Sequence, residues 1–257
     1  VALELASLGA EMILVARDEK KLGSVRSELD TNAGQKHEII CVDFNKPDEL
    51  KTKINGYVCQ VETPDTTSKG ETPDTTSTAA IHILVNNTGG PKAGAILEAQ
   101  SEEFMQGFSN HLICNQILVQ AVVPLMKKAG YGRIINIIST SVKQPIPGLG
   151  VSNTIRGAVA SWAKTLSAEL GPFGITVNNI LPGYTDTVRL ESLIKDKARK
   201  LGKAVDEVKK DMISSIPALR LAKPEEIAAA AAFLASPAAG YINGINLPVD
   251  GGRLGCL

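Results

Sequence analysis

Polar residues stand directly after several short apolar runs, and their types suit the binding of a charged ligand. Arg17, Asp43 and Ser139 each follow a run rich in valine and isoleucine, and Asn86 and Asn87 end another. The planar guanidinium of an arginine suits a phosphate group. The two asparagines lead into a pair of glycines, and such a turn lets the backbone approach a ligand closely. We therefore expect a ligand site where these runs end.

The apolar runs are predicted to be buried strands of a parallel sheet. Segments with helical spacing lie between them, which indicates βαβ units with helices on both faces of the sheet. Right-handed crossovers then give a doubly wound α/β fold of the Rossmann type, and we expect a single domain over 1–257. Ligands in such folds bind at the carboxyl ends of the strands. The predicted strands are MILVA (12–16), EIICV (38–42), IHILV (81–85), RIINII (133–138) and ITVNNI (175–180).

The composition excludes several classes of partner. Lys+Arg and Asp+Glu both number 27, so no net charge attracts a nucleic acid or an acidic membrane. The apolar runs are far shorter than the roughly 20 residues that span a bilayer. The four cysteines show no CxxC and no metal-ligand spacing, so we expect them to be reduced and structural, with no metal site. A cytoplasmic location is the expectation.

A polar repeat interrupts the alternation of strands and helices. ETPDTTS at 62–68 recurs at 71–77, and the segment is too polar to bury the apolar area that would offset its ordering entropy. We predict a polar insertion loop on the surface over 62–80. A partner-binding segment is the alternative.

The beginning of the sequence lacks a feature that the predicted fold requires. VALELASLGA is typical of the second half of a helix that ends at Gly9, but no strand and no glycine-rich turn precede it. We expect the first strand and its glycine-rich loop to be missing from this chain, with the native protein continuing upstream. The strands 12–16 and 81–85 would then flank the place where a strand belongs.

Several segments in order resemble the short-chain dehydrogenase/reductase family. LVNNTGG (84–90) is similar to its NNAG motif, RIINIIS (133–139) to the strand that carries the catalytic serine, and LPGYTDT (181–187) to the PG loop beside the nicotinamide. KPEEIAAAAAFLAS (223–236) and YINGINLPVDGG (241–252) resemble the last helix and strand. Ordered motifs in the right context are more specific than any one motif. The 3-oxoacyl-acyl-carrier-protein reductases are the branch that the sequence resembles most.

The resemblance implies a dinucleotide cofactor. Ala16 occupies the place of the acidic residue that would bind the adenosine ribose, and Arg17 beside it favours NADP, with NAD as the alternative. The alternative for Arg17 is a solvated arginine. Asp43 resembles the aspartate that contacts adenine, although it could instead cap the following helix. The other cofactor-binding residues that the resemblance implies are Asn86, Asn87, Gly89, Arg156, Pro182, Gly183 and Thr187, of which Thr187 could instead cap a helix.

The catalytic positions depart from the family pattern. The family serine corresponds to Ser139, but Ser152 stands where the family has tyrosine, Arg156 where it has lysine and His111 where it has asparagine. A serine hydroxyl is a far weaker acid than a phenol, so Ser152 cannot simply replace the tyrosine. Arg156 stays protonated and can still hold ribose hydroxyls. His111 could relay a proton near neutral pH, or it could be a helix histidine bonded to a backbone carbonyl.

Family resemblance also indicates a lid and an assembly. Residues 187–215 correspond to the family's mobile lid over the substrate, and Leu190, Ile194, Leu201, Val205, Val208 and Met212 recur there at helical spacing. The helices 104–128 and 153–170 resemble those that form dimer or tetramer interfaces, so a homodimer or homotetramer is expected by analogy.

Two functions are consistent with these residues. The first is an NADP-dependent oxidoreductase that acts on the carbonyl or secondary alcohol of a small-molecule substrate, with an altered route for the proton. The second is a catalytically silent protein of the same fold that binds a nucleotide or a partner. The replaced catalytic residues favour the second, whereas Ser139 and the PG loop favour the first.

Overall fold

The computed structural model describes residues 1–62 and 80–256. The predicted insertion loop 62–80, with its repeat, lies outside the described residues except at its two ends. Nothing in the fold therefore bears on the choice between a surface loop and a partner-binding segment.

Strands and helices alternate along the described chain. The strands are β1 (Ile13–Ala16), β2 (Glu38–Cys41), β3 (Ile83–Asn86), β4 (Gly132–Ile137), β5 (Ile175–Pro182) and β6 (Asn246–Val249). The helices are α1 (Ala2–Ser7), α2 (Glu19–Glu28), α3 (Pro47–Glu62), α4 (Ser101–Phe108), α5 (Cys114–Ala129), α6 (Gly150–Leu170), α7 (Val188–Leu201), α8 (Val205–Ser214) and α9 (Pro224–Ala235). Each predicted strand is present within two residues of its expected bounds.

All strand pairs among the described residues are parallel, which confirms the predicted α/β class. One sheet has the order β3-β4-β5-β6, and a second pairs β1 with β2. Every residue of β4 is buried, as is β5 up to its last residue, because helices cover both faces of these central strands. The continuous apolar runs of the sequence reflect this burial on two sides.

The edge strands β1 and β3 differ from the central pair. Within the described ranges, β1 is hydrogen-bonded to β2 alone and β3 to β4 alone, and the residues of β1 are only partly buried. Met12 and Ile83 nevertheless pack against one apolar cluster, and Val15 and Leu84 against another. The expectation that a further strand belongs between β1 and β3 stays a prediction.

Two short helices, α7 and α8, form the segment predicted to be a lid. Gly202 ends α7 in the left-handed region with φ 64°, and the chain turns there into α8. The helices bury Leu190, Ile194, Ala198, Val208 and Met212 between them. The predicted apolar positions Leu201 and Val205 are instead 55% and 42% exposed, because they lie at the turn and not on the packed faces.

None of the helices in the described ranges is both long and apolar enough to cross a lipid bilayer. Over the same residues, no group of three or more histidine, cysteine, aspartate or glutamate side chains is placed to hold a metal ion.

Candidate active site

Arg156 connects the carboxyl ends of two neighbouring strands. It projects from α6, where it is only 8% exposed. One terminal nitrogen donates to the carbonyl oxygen of Ile137 at the end of β4 (3.1 Å), and the other donates to that of Thr88 just after β3 (3.5 Å). The guanidinium has five N–H donors, so these bonds leave others for a ligand. Arg156 therefore lies at the edge of the sheet formed by the carboxyl ends of β3 and β4, which we call the mouth, where the sequence predicts the site.

Ser139 lies beside this arginine on the same strand end, two residues after Ile137. Its backbone is extended, with φ −170°, and its Oγ accepts a hydrogen bond from the N–H of Ser141 (3.1 Å) at the start of a short 3₁₀ turn. The bond fixes the hydroxyl oxygen while the hydroxyl proton stays free to donate. The Ser139 hydroxyl is thus a hydrogen-bond donor at the end of β4.

Ser152 lies one helical turn before Arg156 on α6 and is 8% exposed. Residues four apart share a face of a helix, so Ser152 and Arg156 point to the same side. Of the four catalytic candidates, three thus come from the end of β4 and one face of α6.

His111, the fourth candidate, belongs to a π-helical turn, Ser109–Ile113, inserted between α4 and α5. Its Nδ1 is hydrogen-bonded to Thr88 Oγ1 (2.5 Å), so a single residue, Thr88, contacts both His111 and Arg156. The preceding Asn110 faces away and bonds to Asn45 beyond β2. The wider π turn directs His111 inward, as such turns commonly do at functional sites.

The environment of His111 keeps its imidazole neutral. Burial lowers its pKa to about 3, and the positive charges of Arg156 and Arg189 contribute, whereas a hydrogen bond with the backbone of Gly89 opposes the shift. A group with this pKa does not change charge between pH 5 and 8. His111 therefore acts at the site as a neutral hydrogen-bonding partner.

A second arginine, Arg189 from the first turn of α7, reaches the same mouth. Its guanidinium donates to the carbonyl oxygen of Pro91 (2.9 Å). A methyl group placed on Gly90 would lie 2.8 Å from a nitrogen of Arg189 and 3.5 Å from a nitrogen of Arg156, so both guanidiniums flank this glycine. Burial and the charge of Arg189 lower the pKa of Arg156 to about 10, which still leaves it protonated at neutral pH.

Asn86 begins a row of asparagines that crosses the larger sheet. Its Nδ2 donates to Oδ1 of Asn136 (2.8 Å), Asn136 donates to Asn179 (2.9 Å), and Asn179 donates to Asn246 (2.8 Å). The four residues are direct neighbours in the strand register. At the open end of the row, Oδ1 of Asn86 is buried and has no hydrogen-bond partner. A buried acceptor without a partner marks a place where a ligand or solvent donor fits.

Asn87 and Gly89 follow at the mouth, and both are exposed. A methyl group on Gly89 would meet nothing within 4 Å, so the backbone there is open to a ligand.

Arg17 and Asp43 lie at the ends of the two strands of the smaller sheet. The side chain of Arg17 is exposed. Asp43 accepts a hydrogen bond from the N–H of Asn45 (3.0 Å), which is the main reason that its pKa is lowered, with a smaller contribution from Arg17. Helix α3 begins only at Pro47, so Asp43 caps a tight turn and not the helix, contrary to the alternative prediction for this residue.

Residues of the PG loop have defined structural roles. Gly183 donates its N–H to the carbonyl oxygen of Val249 (3.0 Å), and a methyl group on it would lie 2.7 Å from Asp250, so glycine is required where Pro182 ends β5. Thr187 caps α7, since its Oγ1 accepts from the N–H of Leu190 (3.3 Å). The cap was the alternative prediction for Thr187, and it leaves contact with a cofactor untested.

Three features of the site were not predicted from the sequence: Thr88, Arg189 and the asparagines of β4 to β6. Arg189 stands two residues after Thr187 in the predicted lid, where only the apolar positions indicated a role. The asparagines did leave a signal, because each of RIINII, TVNNI and GINLP carries an amide inside an apolar run. Such a run buries an amide only when the amide finds a partner.

Comparisons with known proteins give the family and the fold of this chain. The family model described as enoyl-(acyl carrier protein) reductase matches residues 1–253. The short-chain reductase protein NovJ of Streptomyces niveus is 30% identical over 98% of this chain and 87% of its own length. The 3-oxoacyl-[acyl-carrier-protein] reductase FabG of Haemophilus influenzae is 31% identical over 98% of this chain and 91% of its own. L-sorbose reductase from Gluconobacter frateurii, solved with NADPH and L-sorbose, superposes with a TM-score of 0.84 at 28% identity, covering 100% of this chain and 91% of that one.

Proposed function

The chain belongs to the short-chain dehydrogenase/reductase family, and from this premise we propose that it is an NADP-dependent oxidoreductase that acts on a carbonyl or a secondary alcohol. The observation that carries the proposal is the position of Arg156, which bonds to the ends of both β3 and β4. Arg156 shares a face of α6 with Ser152, contacts Thr88 as His111 does, and bonds to the strand that Ser139 follows. In the proposed reaction, Ser152, Arg156 and His111 require a proton source other than the family tyrosine.

The residues at the mouth fit a dinucleotide. The unpartnered Oδ1 of Asn86 is a buried acceptor, Gly89 leaves its backbone open, and Arg17 is an exposed cation beyond β1. We propose that Arg17 holds the 2′-phosphate, that Asp43 lies near the adenine, and that Arg156 holds the nicotinamide ribose. Asn87, Pro182, Gly183 and Thr187 complete the proposed lining. The relatives solved with NADPH support NADP as the cofactor. When bound, NADPH supplies the hydride.

The chain's own residues then orient the carbonyl and hold a proton near it. Ser139 donates its free hydroxyl proton to the carbonyl oxygen and so stabilises the negative charge that develops there. Arg156 adds positive charge nearby without giving up a proton, because its pKa of about 10 keeps it charged. His111 is neutral and fixes the turn through Thr88. Water is the proposed source of the proton that the product alcohol requires.

A catalytically silent protein that binds a nucleotide or a partner is the second candidate. It is favoured by the two pKa values at the mouth, because neither His111 at about 3 nor Arg156 at about 10 exchanges a proton readily at neutral pH. General acid catalysis is most efficient when the pKa lies near the working pH.

NADPH oxidation by the full-length protein against a panel of carbonyl compounds distinguishes the two candidates. Calorimetry measures NADPH binding in parallel. We expect turnover, with Ser139→Ala lowering kcat by about 100- to 1000-fold, the usual loss when one donor to a developing oxyanion is removed. NADPH binding should stay unchanged in this variant and weaken in Arg156→Ala. Tight NADPH binding without turnover of any compound would instead establish the silent protein.

Two further expectations belong to this proposal. A homodimer or homotetramer and a cytoplasmic location both stay predictions, the first from family analogy and the second from composition.

A further inference from the structure

A cleft of about 530 Å³ lies between α7 and the loop that follows β3. Its basic lining residues are Lys92, Arg189, Arg199 and Lys200, and Asp196 is the one acidic residue among those that line it. Asp196 is already paired with Arg199 (2.8 Å). In the part of the chain that the structure describes, Lys92, Arg189 and Lys200 form no ion pair with a carboxylate. The cleft therefore carries an excess of positive charge although the chain as a whole is neutral.

The inner end of this cleft reaches the active site through Arg189. Its guanidinium lies over Gly90, and Arg156 lies on the same side of that glycine. Burial and, to a smaller extent, the charge of Arg189 lower the pKa of Arg156, and no described acidic residue pairs with either guanidinium. Two like charges that face one gap are stabilised by an anion placed between them.

Arg133 shows what an arginine with a purely structural role looks like in this fold. It is equally buried, but it donates to the carbonyl oxygens of Gly132, Gly174 and Ser236 and stacks on Tyr131. Arg156 uses fewer of its donors and faces Arg189, so its environment is that of a binding group.

We propose that this cleft, defined by Lys92, Arg189, Arg199 and Lys200, with Arg156 at its inner end, binds an anionic oxygen group of the substrate, a carboxylate or a phosphate. The proposal rests on the proposed function and names the class of carbonyl compound that the site accepts. We assign the anion to the substrate because the binding groups other than Arg156 come from α7 and from Lys92 in the loop after β3, and none of them is in the proposed cofactor lining. The proposed cofactor phosphate site at Arg17 lies on the smaller sheet instead. Arg189 is a specificity-determining residue in this arrangement.

Matched pairs of carbonyl compounds test the proposal by calorimetry, without cofactor and again with saturating NADP⁺, the oxidised cofactor, which cannot reduce a carbonyl. Levulinate is compared with its methyl ester, and dihydroxyacetone phosphate with dihydroxyacetone. We expect at least one of the anions to bind at least about tenfold more tightly than its neutral partner, the effect of one charge-assisted hydrogen bond or more. The pair that shows the difference identifies the carboxylate or the phosphate as the preferred group.

Arg189→Met should remove this preference, and Arg189→Lys should restore part of it. Lys197→Met is the matched control, since Lys197 is an exposed lysine on the same helix that does not line the cleft. It should keep the preference of the unchanged protein. The anion should also raise the melting temperature of the unchanged protein and of the control, but not that of Arg189→Met.

Equal affinity within both pairs would overturn the proposal, and so would a preference that survives Arg189→Met. Loss of the preference once NADP⁺ is added would assign the anion site to the cofactor and overturn the proposal as well. The preference is a binding measurement, so anion binding without NADPH oxidation would reject the proposed function while leaving the anion site intact.

Discussion

Two groups of polar side chains lie near the loop after β3, and they differ in whether their members satisfy one another's hydrogen bonds and charges. The asparagine row consists of Asn86, Asn136, Asn179 and Asn246, which are neutral and joined by consecutive hydrogen bonds. The arginine pair, Arg156 and Arg189, consists of like charges that no described carboxylate compensates. Buried polar groups that serve the fold satisfy one another, whereas groups that serve a ligand keep part of their bonding capacity unused. This difference distinguishes polar side chains that stabilise the fold from those that are available to a ligand, and it needs no comparison with relatives.

The strongest test of this comparison removes the centre of the asparagine row. Asn136 is fully buried, and Asn136→Leu would leave a donor on Asn86 and an acceptor on Asn179 without partners. We expect the free energy of unfolding to fall by about 3 kcal/mol, since each buried group left unsatisfied costs roughly 1–3 kcal/mol. Urea denaturation measures the loss. Asn55→Ala, on an exposed position of α3, is the control and should change stability by less than about 0.5 kcal/mol.

A loss below about 1 kcal/mol in Asn136→Leu would remove the structural half of the comparison.

The titration of His111 tests the surroundings of the arginine pair, because burial and the charges of Arg156 and Arg189 lower the pKa of this histidine. Its pKa is about 3 in the folded protein, against about 6.5 when unfolded, so between these values the unfolded chain binds a proton that the folded one does not. The contribution of the neutral His111 to the free energy of unfolding is therefore fully present above pH 6.5. It falls as the pH is lowered, by roughly 2 kcal/mol at pH 5. His111→Gln lacks this titration. Unfolding measured from pH 7.5 to pH 5 should show the two stability profiles diverging as the pH falls.

Parallel profiles would mean that burial and the charges of Arg156 and Arg189 do not keep the imidazole neutral. The remaining histidines are common to both proteins, so their titration cancels in the difference.

The smallest expected effect concerns the arginine at the site. Arg156→Met should change the free energy of unfolding by less than about 1 kcal/mol in a buffer without multivalent anions, because removal of an uncompensated buried charge offsets the lost bonds to Ile137 and Thr88. Arg133→Met is the comparison variant. We expect it to cost about 2 kcal/mol, since Arg133 bonds to three carbonyl oxygens and stacks on Tyr131. Denaturation of both variants under one condition gives the ranking.

A larger loss of stability in Arg156→Met than in Arg133→Met would mean that Arg156 mainly stabilises the fold by joining the ends of β3 and β4.

The sequence predicted the strands and the end of the sheet where the site lies, because both follow from local patterns. Apolar runs of β-branched residues indicate buried parallel strands, and the residues that follow them gather at one edge. Ser139 and Arg156 were predicted from these patterns together with the family resemblance, and the structure brings them to the ends of the same strands.

Other parts of the site depend on geometry that no local pattern encodes. The asparagines pair only because the register sets them side by side in four strands. Arg189 reaches Gly90 only because α7 folds back over the loop after β3. The neutrality of His111 is likewise a property of its neighbours, since an isolated histidine titrates near neutral pH.

The asparagine row has a direction, and this direction decides what Asn86 offers at its free end. Asn86, Asn136 and Asn179 each donate to the next asparagine toward β6. Rotating one of these amides by half a turn would set N–H against N–H or oxygen against oxygen at the next link. The orientation is thus shared by all members. Asn246, three strands away, therefore helps to ensure that the atom of Asn86 left without a partner at the mouth is its Oδ1 oxygen. A substitution at this distant strand could reverse the polarity of the mouth without touching any residue that lines it.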